Sequence, residues 1–238
     1  MKSSPASIAL AITATLLSAA PAAADDAAHI DAYVTPYYDS SGPVVRAGKY
    51  STGLASKNRG DFVATIFRMK KQWDYLNFVE LYVAAIRLYD LGYRNESTYW
   101  FYTAQYRGRL FASVVDQKRL GGIGDPGFEL VHAQDAFFQL AGPDINGFAF
   151  GNIDLLVSIV RRVQNRNQAV PNLQTVYPGV SLVPRSQWQA HNAQIAAGLG
   201  ELATSLPAQK AEIQRRRAQN GTQARFSKLT SKEFPGGL

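Results

Sequence analysis

The stretch Glu80–Phe111 constrains the fold of this chain more than any other part of the sequence. Its apolar residues recur every three or four positions, which predicts a helix, a short turn at Gly92 and a second helix. The aromatic side chains within it are Tyr82, Tyr89, Tyr93, Tyr99, Trp100, Phe101, Tyr102, Tyr106 and Phe111. Because the second helix is apolar on two sides, we expect it at the centre of the domain.

The same periodicity along the chain predicts about seven helices and little strand, which is an irregular all-α domain. Cap residues and apolar spacing place the helix starts near Asp61, Asp74, Asn95, Phe128, Asn152, Ser186 and Ala208. Cations, glycines and prolines place the helix ends at Lys71, Gly92, Ala141, Arg166 and Asn220, and Pro207 is expected to kink or end the helix that Ser186 starts. Residues 120–127 and 144–151 are therefore expected to be loops.

Two segments flank the helical domain, which we place at residues 60–206. Residues 25–59 are rich in Tyr, Pro, Gly and Ser without a helical period, and predict an extended arm. Its Tyr33, Tyr37 and Tyr38 favour packing on the body of the protein over a free segment. Residues 207–238 predict a basic helix that is followed by a tail from Thr222 onward.

The first 24 residues have the pattern of a secretory signal peptide. Lys2 is followed by a short apolar run, Ile8–Leu17, and by the small residues Ala22 to Ala24. The apolar run is shorter than the roughly 20 residues that span a bilayer. We therefore expect cleavage after Ala24 and a mature protein that is periplasmic or secreted.

Charge is concentrated at the C-terminal end. The whole chain has a net charge of +7. In residues 207–238, seven basic residues against two acidic ones give +5. The densest group is Arg215, Arg216 and Arg217, and it predicts either a solvated helix end or weak contact with anionic lipid or envelope polymer. Aromatic side chains are not interleaved with these arginines, which argues against nucleic acid as a partner.

The sequence offers little support for catalysis and predicts no catalytic residue, metal or cofactor. Cysteine is absent, and no G-x-S-x-G nucleophile elbow occurs. Glu129, His132 and Asp135 follow one another at intervals of three positions on one predicted helix. Glu129 and Asp135 are therefore nearly two turns apart, which is too far for all three side chains to bind one metal ion. The loop Gly121–Gly124 lacks the preceding strand and following Lys-Ser/Thr of a phosphate-binding loop.

The central hairpin resembles a tetratricopeptide or Sel1-like repeat. The matching residues are Leu81, Ala85, Leu88, Gly92, Ser97, Phe101 and Ala104. The match covers about one repeat, with Ser97 where the family usually has alanine, and no second copy follows. The chain as a whole also resembles a family of bacterial exported helical proteins, and this resemblance implies no activity and no catalytic residue.

These features predict an exported, non-enzymatic protein-binding module, for example a periplasmic immunity or inhibitor-type protein. Its expected contact residues are Tyr93, Arg94, Arg107, Arg109, Phe148 and Phe150. One alternative is an envelope hydrolase, active on peptidoglycan or lipid, that uses Glu80, Glu96 or Glu129. Another is a structural envelope protein that is held by its basic tail. The oligomeric state stays open.

Overall fold

The computed structural model describes residues 26–35 and 41–237, and it is all-α apart from one very small sheet. The predicted signal peptide, Tyr37 and Tyr38 lie outside the described residues. The helices are α1 Ser51–Ala55, α2 Arg59–Lys71, α3 Phe78–Asp90, α4 Arg94–Val114, α5 Pro126–Ala149, α6 Ile153–Arg166, α7 Leu173–Val176, α8 Arg185–Gln219 and α9 Thr222–Phe226. The strands β1 Tyr33–Val34 and β2 Val44–Val45 pair in parallel.

Helices α3 and α4 form the hairpin at the centre of the fold, as predicted. Asn77 and Glu80 start α3 with a reciprocal capping box. Gly92 turns the chain with a φ of +87°, a conformation that glycine adopts without a steric penalty. Ser97 donates a hydrogen bond of 2.7 Å to the carbonyl of Ala85 across the hairpin. Helix α4 contacts α3, α5, α6 and α8, so most of its surface is buried.

Two helices are longer than predicted because they continue through a proline. Helix α5 passes Pro143 and ends at Ala149, and α8 passes Pro207 and ends at Gln219. A proline inside a helix costs about 3 kcal/mol. Burial of one large apolar side chain contributes about 1.5–3 kcal/mol, and Ile145 in α5 is fully buried. Packing therefore offsets the local preference, and the expected loop at residues 144–151 is wrong.

Three predicted caps are also wrong. The cap of α3 is Asn77 and not Asp74. Helix α8 begins at Arg185, and its N-cap residue is Pro184 and not Ser186. Helix α4 begins at Arg94 without a side-chain cap of its own. The predicted caps at Gly92, Asn152 and Asn220 are confirmed.

The C-terminal segment is part of the fold, which corrects the prediction of a tail. We call residues 227–237 the strap, because they return from α9 to the turn between α3 and α4. The backbone N–H of Lys232 donates to the carbonyl of Gly92 at 2.8 Å. The hydroxyl of Ser231 accepts from the N–H of Asn95 at 2.9 Å, so the strap satisfies a donor in the first turn of α4.

Apolar contacts hold the far end of the strap. The side chain of Phe234 is buried, with its ring centroid 5.2 Å from that of Tyr93 and 5.8 Å from that of Phe67. The ammonium group of Lys70 lies over the same ring and donates to the carbonyl of Gly237 at 3.1 Å. The strap is therefore anchored on the turn between α3 and α4 and, near its end, on α2.

Residues 26–35 of the predicted arm pack on the end of α3, whereas Ser51–Ala55 form the helix α1, which corrects the prediction of an extended segment up to residue 59. The hydroxyl of Tyr89 donates to the carbonyl of Ala27 at 2.7 Å. The buried carboxylate of Asp90 accepts from the N–H of Ile30 at 2.9 Å and lies 3.2 Å from Nδ1 of His29. Within residues 26–35 and 41–237, no helix has both the length and the apolar character needed to cross a bilayer.

Asp90 gives the stability of the fold a pH dependence that can be measured. Burial raises the pKa of Asp90 from 3.8 to about 6, although the hydrogen bond from His29 opposes this rise. The folded protein therefore binds this proton more tightly than the unfolded chain. The stability from this carboxyl is present below about pH 4 and is lost as the pH rises through 6. The hydrogen bond to Asp90 raises the pKa of His29 above 6.5, and its contribution is also lost with rising pH.

We therefore expect Asp90→Asn to change the pH profile of unfolding. Between pH 4 and 7 the wild-type free energy of unfolding should fall relative to that of the variant, by up to about 3 kcal/mol. Urea denaturation at stepped pH measures this difference. Asp31→Asn is the control, because Asp31 is 67% exposed and lies beside the same histidine. Parallel profiles for wild type and Asp90→Asn would contradict the prediction.

Candidate ligand cavity

A cavity of about 450 Å³ lies where the C-terminal ends of α5 and α8 meet α6, α9 and the strap. Its volume is within the range of small-molecule sites, roughly 300–1,000 Å³. The residues that line it are Asn95, Thr98, Phe148, Ala149, Gly151, Asn152, Leu155, Leu156, Ile159, Arg217, Gln223, Phe226, Ser227, Leu229, Thr230 and Ser231.

Helix α6 supplies one apolar wall of the cavity. Asn152 caps this helix by accepting from the N–H of Leu155 at 3.1 Å. Leu155, Leu156 and Ile159 follow at helical spacing, so they share one face of α6. Phe226, which is buried, closes the opposite side from α9.

The close approach of α9 to α5 depends on a glycine. A Cβ atom at Gly147 would lie 2.4 Å from the ring of Phe226, so the ring would have to shift. Glycine at position 147 therefore allows Phe226 to pack against the last turns of α5. In the same region Arg225 forms an ion pair of 2.9 Å with Asp144.

Arg217 is the only charged residue among those that line the cavity. Its side chain is almost completely buried, with 3% of the residue exposed. One guanidinium nitrogen, Nη1, donates to the carbonyl of Gly147 at 2.6 Å. Its Nε has no hydrogen-bond partner, and within residues 26–35 and 41–237 no carboxylate forms an ion pair with this arginine. Burial lowers the pKa of Arg217 below its usual value.

Two further arginines, Arg94 and Arg225, lie near the cavity. Arg94 donates from Nη1 to the carbonyl of Thr230 at 2.6 Å, and Arg225 forms its ion pair with Asp144. Within the described residues, the Nε atoms of Arg94 and Arg225, like that of Arg217, are buried without a hydrogen-bond partner.

The structure buries three of the six predicted contact residues. Tyr93 is 1% exposed under Phe234 of the strap, and Arg94 and Arg107 are also buried. The expectation that these three residues face solvent is wrong, since it assumed that α4 had a free side. Phe148 and Phe150 are half-buried at the end of α5 and not in a loop.

Arg109 is the sixth predicted contact residue, and it stays partly exposed. It lies at a separate shallow cavity of about 410 Å³ with Asp135 and Gln134, between α4 and α5. Of the six predicted contact residues, only Phe148 is among the described residues that line the cavity beside α6. The structure therefore does not bring the six residues together at one surface.

The predicted basic patch is likewise divided between exposed and buried side chains. Arg215 and Arg216 are exposed and both form ion pairs with Glu212, whereas Arg217 points inward. A sequence signal for this burial exists. Leu206 and Arg217 are eleven positions apart, which is close to three helical turns and places them on the same face of α8.

The candidate catalytic carboxylates have structural contacts. Glu80 completes the cap of α3. The buried Glu96 binds the ammonium group of Lys70 and the indole nitrogen of Trp100, at 2.7 and 2.9 Å. Glu129 accepts from the N–H of Gly124 at 3.1 Å. Across the described part of the chain, no group of three His, Asp or Glu side chains is arranged to hold a metal ion.

No protein family model matches the chain, and neither curated proteins nor solved structures show significant similarity to it. The resemblance to tetratricopeptide or Sel1-like repeats and to bacterial exported proteins therefore stays a prediction.

Arg107 and Arg109 provide a direct comparison of a buried arginine with a partly exposed one. Arg107 donates to the carbonyls of Trp73 and Leu76 at 2.7 and 2.9 Å. We expect Arg107→Met to lower the free energy of unfolding by about 3 kcal/mol, because it leaves buried acceptors without a donor. Arg109→Met should change it by less than about 0.5 kcal/mol. Urea denaturation of both variants tests this, and equal losses would contradict the assignment of Arg107 as structural.

Proposed function

We propose that this chain is an exported, non-enzymatic binding protein that holds a small molecule in the cavity beside α6. The observation that supports this most directly is the cavity itself. It combines an apolar wall with about as many polar as apolar lining residues, including one buried cation, and its volume is in the range of small-molecule sites. Export is part of the proposal and depends on the signal-peptide pattern of residues 1–24.

The cavity is a better candidate than the surface that the sequence suggested. Tyr93, Arg94 and Arg107 have structural contacts and little exposed area. The cavity, in contrast, is assembled from three parts of the chain that are distant in sequence, residues 95–98, 148–159 and 217–231. The strap closes it with Leu229, Thr230 and Ser231.

Our second proposal is that the chain binds a protein partner, as an immunity-type inhibitor does. The observation that favours it is Arg109, which is partly exposed beside Asp135 at the groove between α4 and α5. A hydrolase and a protein held by its basic tail receive less support. Glu80 and Glu96 are engaged in structural contacts, and Arg217 of the basic group is buried.

A variant that fills the cavity tests the leading proposal. Leu155 is half-buried and lines the cavity, so Leu155→Trp should occupy part of its volume. We expect wild type to bind the neutral fluorophore N-phenylnaphthylamine saturably, with fluorescence as the readout. Leu155→Trp should weaken this binding at least about tenfold, or 1.4 kcal/mol.

Ser158→Trp is the matched control, because Ser158 lies on the exposed face of the same helix. It adds the same indole ring outside the cavity and should leave the affinity unchanged. If wild type shows no saturable binding, or if Leu155→Trp binds the fluorophore like wild type, the cavity is not the ligand site.

A further inference from the structure

We infer that the ligand of this cavity is an amphipathic anion, with an apolar body against α6 and an oxygen-bearing anionic group on Arg217. This inference rests on the proposed function, because it assumes that the cavity binds a ligand. It adds the chemical class of that ligand. The shared chemistry of the head is that of a carboxylate or a phosphate monoester.

The first argument is the unbalanced charge. A buried cation is normally paired with an anion, because removal of a charge from water is costly. Arg217 is buried and contributes the only charge among the residues that line the cavity. The carbonyl of Gly147, near the C-terminal end of α5, supplies a partial negative charge to one nitrogen. One hydrogen bond to a neutral carbonyl does not balance the full charge of the guanidinium.

The second argument is the geometry of the donor. A guanidinium carries five N–H donors in a planar fork, which suits two oxygens of a carboxylate or phosphate. Nη1 of Arg217 is engaged with Gly147, whereas Nε has no partner. The fork is fixed by this hydrogen bond and by burial, so it is already ordered before an anion binds.

The third argument is the lining around the arginine. Leu155, Leu156 and Ile159 offer an apolar surface to a hydrocarbon body. No Asp or Glu occurs among the lining residues, so no like charge would repel an anionic head. Just outside the lining, Arg94 donates to the carbonyl of Thr230, and Arg225 is neutralised by its ion pair with Asp144.

The competing explanation is that Arg217 serves only to stabilise the carbonyl end of α5. That role needs the hydrogen bond to Gly147 and no ligand. The two explanations differ in whether affinity for an amphipathic molecule depends on the charge of its head.

Calorimetry on the purified protein separates them. The probes are decanoate, decyl phosphate and the neutral decanol, which have the same chain. We expect wild type to bind at least one of the two anions at least about tenfold more tightly than decanol. The better of the two anions identifies the head as carboxylate or phosphate. Equal affinity for decanol and both anions in wild type overturns the inference without use of any variant.

Arg217→Met should lower the affinity for the preferred anion by about 10- to 100-fold, towards that of decanol. Its affinity for N-phenylnaphthylamine should be retained. Arg216→Met is the matched control, because Arg216 is the exposed neighbour on the same helix, and it should bind the anion like wild type. An unchanged anion affinity in Arg217→Met also overturns the inference.

The failures of the two proposals are distinguishable. Loss of all saturable binding, including that of the neutral fluorophore, contradicts the cavity as a ligand site. Fluorophore binding that persists without any preference for an anion contradicts only the role of Arg217. If Arg217→Met does not fold, Arg217→Lys keeps the charge but loses the fork, and it should bind the preferred anion more weakly than wild type.

Discussion

The structure depends on how the first turn of α4 satisfies its backbone donors. This central helix lacks a side-chain cap from its own preceding residue, and its N–H groups cannot be left unpaired in a buried setting. Ser231 supplies an acceptor to Asn95 from 136 positions away, and Lys232 binds the carbonyl of Gly92. The C-terminal end of the chain is therefore a structural partner of the central hairpin, and the strap that makes these contacts also forms one wall of the cavity.

The cavity follows from two helices that continue through proline. Because α5 extends past Pro143, its last turns carry Gly147 to the point where Phe226 packs. Because α8 extends past Pro207, Arg217 reaches the carbonyl of Gly147. Packing along both helices stabilises them against the cost of the prolines. The result is a buried guanidinium in a cavity with an apolar wall, and this arrangement supports the proposals of ligand binding and of an anionic head.

Local signals in the sequence predicted the all-α fold, the central position of α4, and the caps at Gly92 and Asn152. Each of these depends on residues that are close in sequence. The strap could not be predicted, because its contacts with Gly92 and Asn95 join opposite ends of the chain. The same limit explains why Tyr93 was expected to be exposed. The burial of Arg217, in contrast, had a signal in the sequence. Its helical register with Leu206 indicates an inward position, but its place in a run with Arg215 and Arg216 suggested an exposed basic patch.

Hydrogen exchange of backbone amides tests most directly whether the strap belongs to the folded core. The amide of Lys232 donates to Gly92, and the amide of Asn95 donates to Ser231. Protected amides exchange only when the structure around them opens. We expect both amides to be protected to a degree similar to that of the amides within α4. Both should lose this protection together when the strap opens. Exchange of the Lys232 amide at the rate of an unfolded peptide, with α4 still protected, would show that the strap is a free tail and would contradict this account.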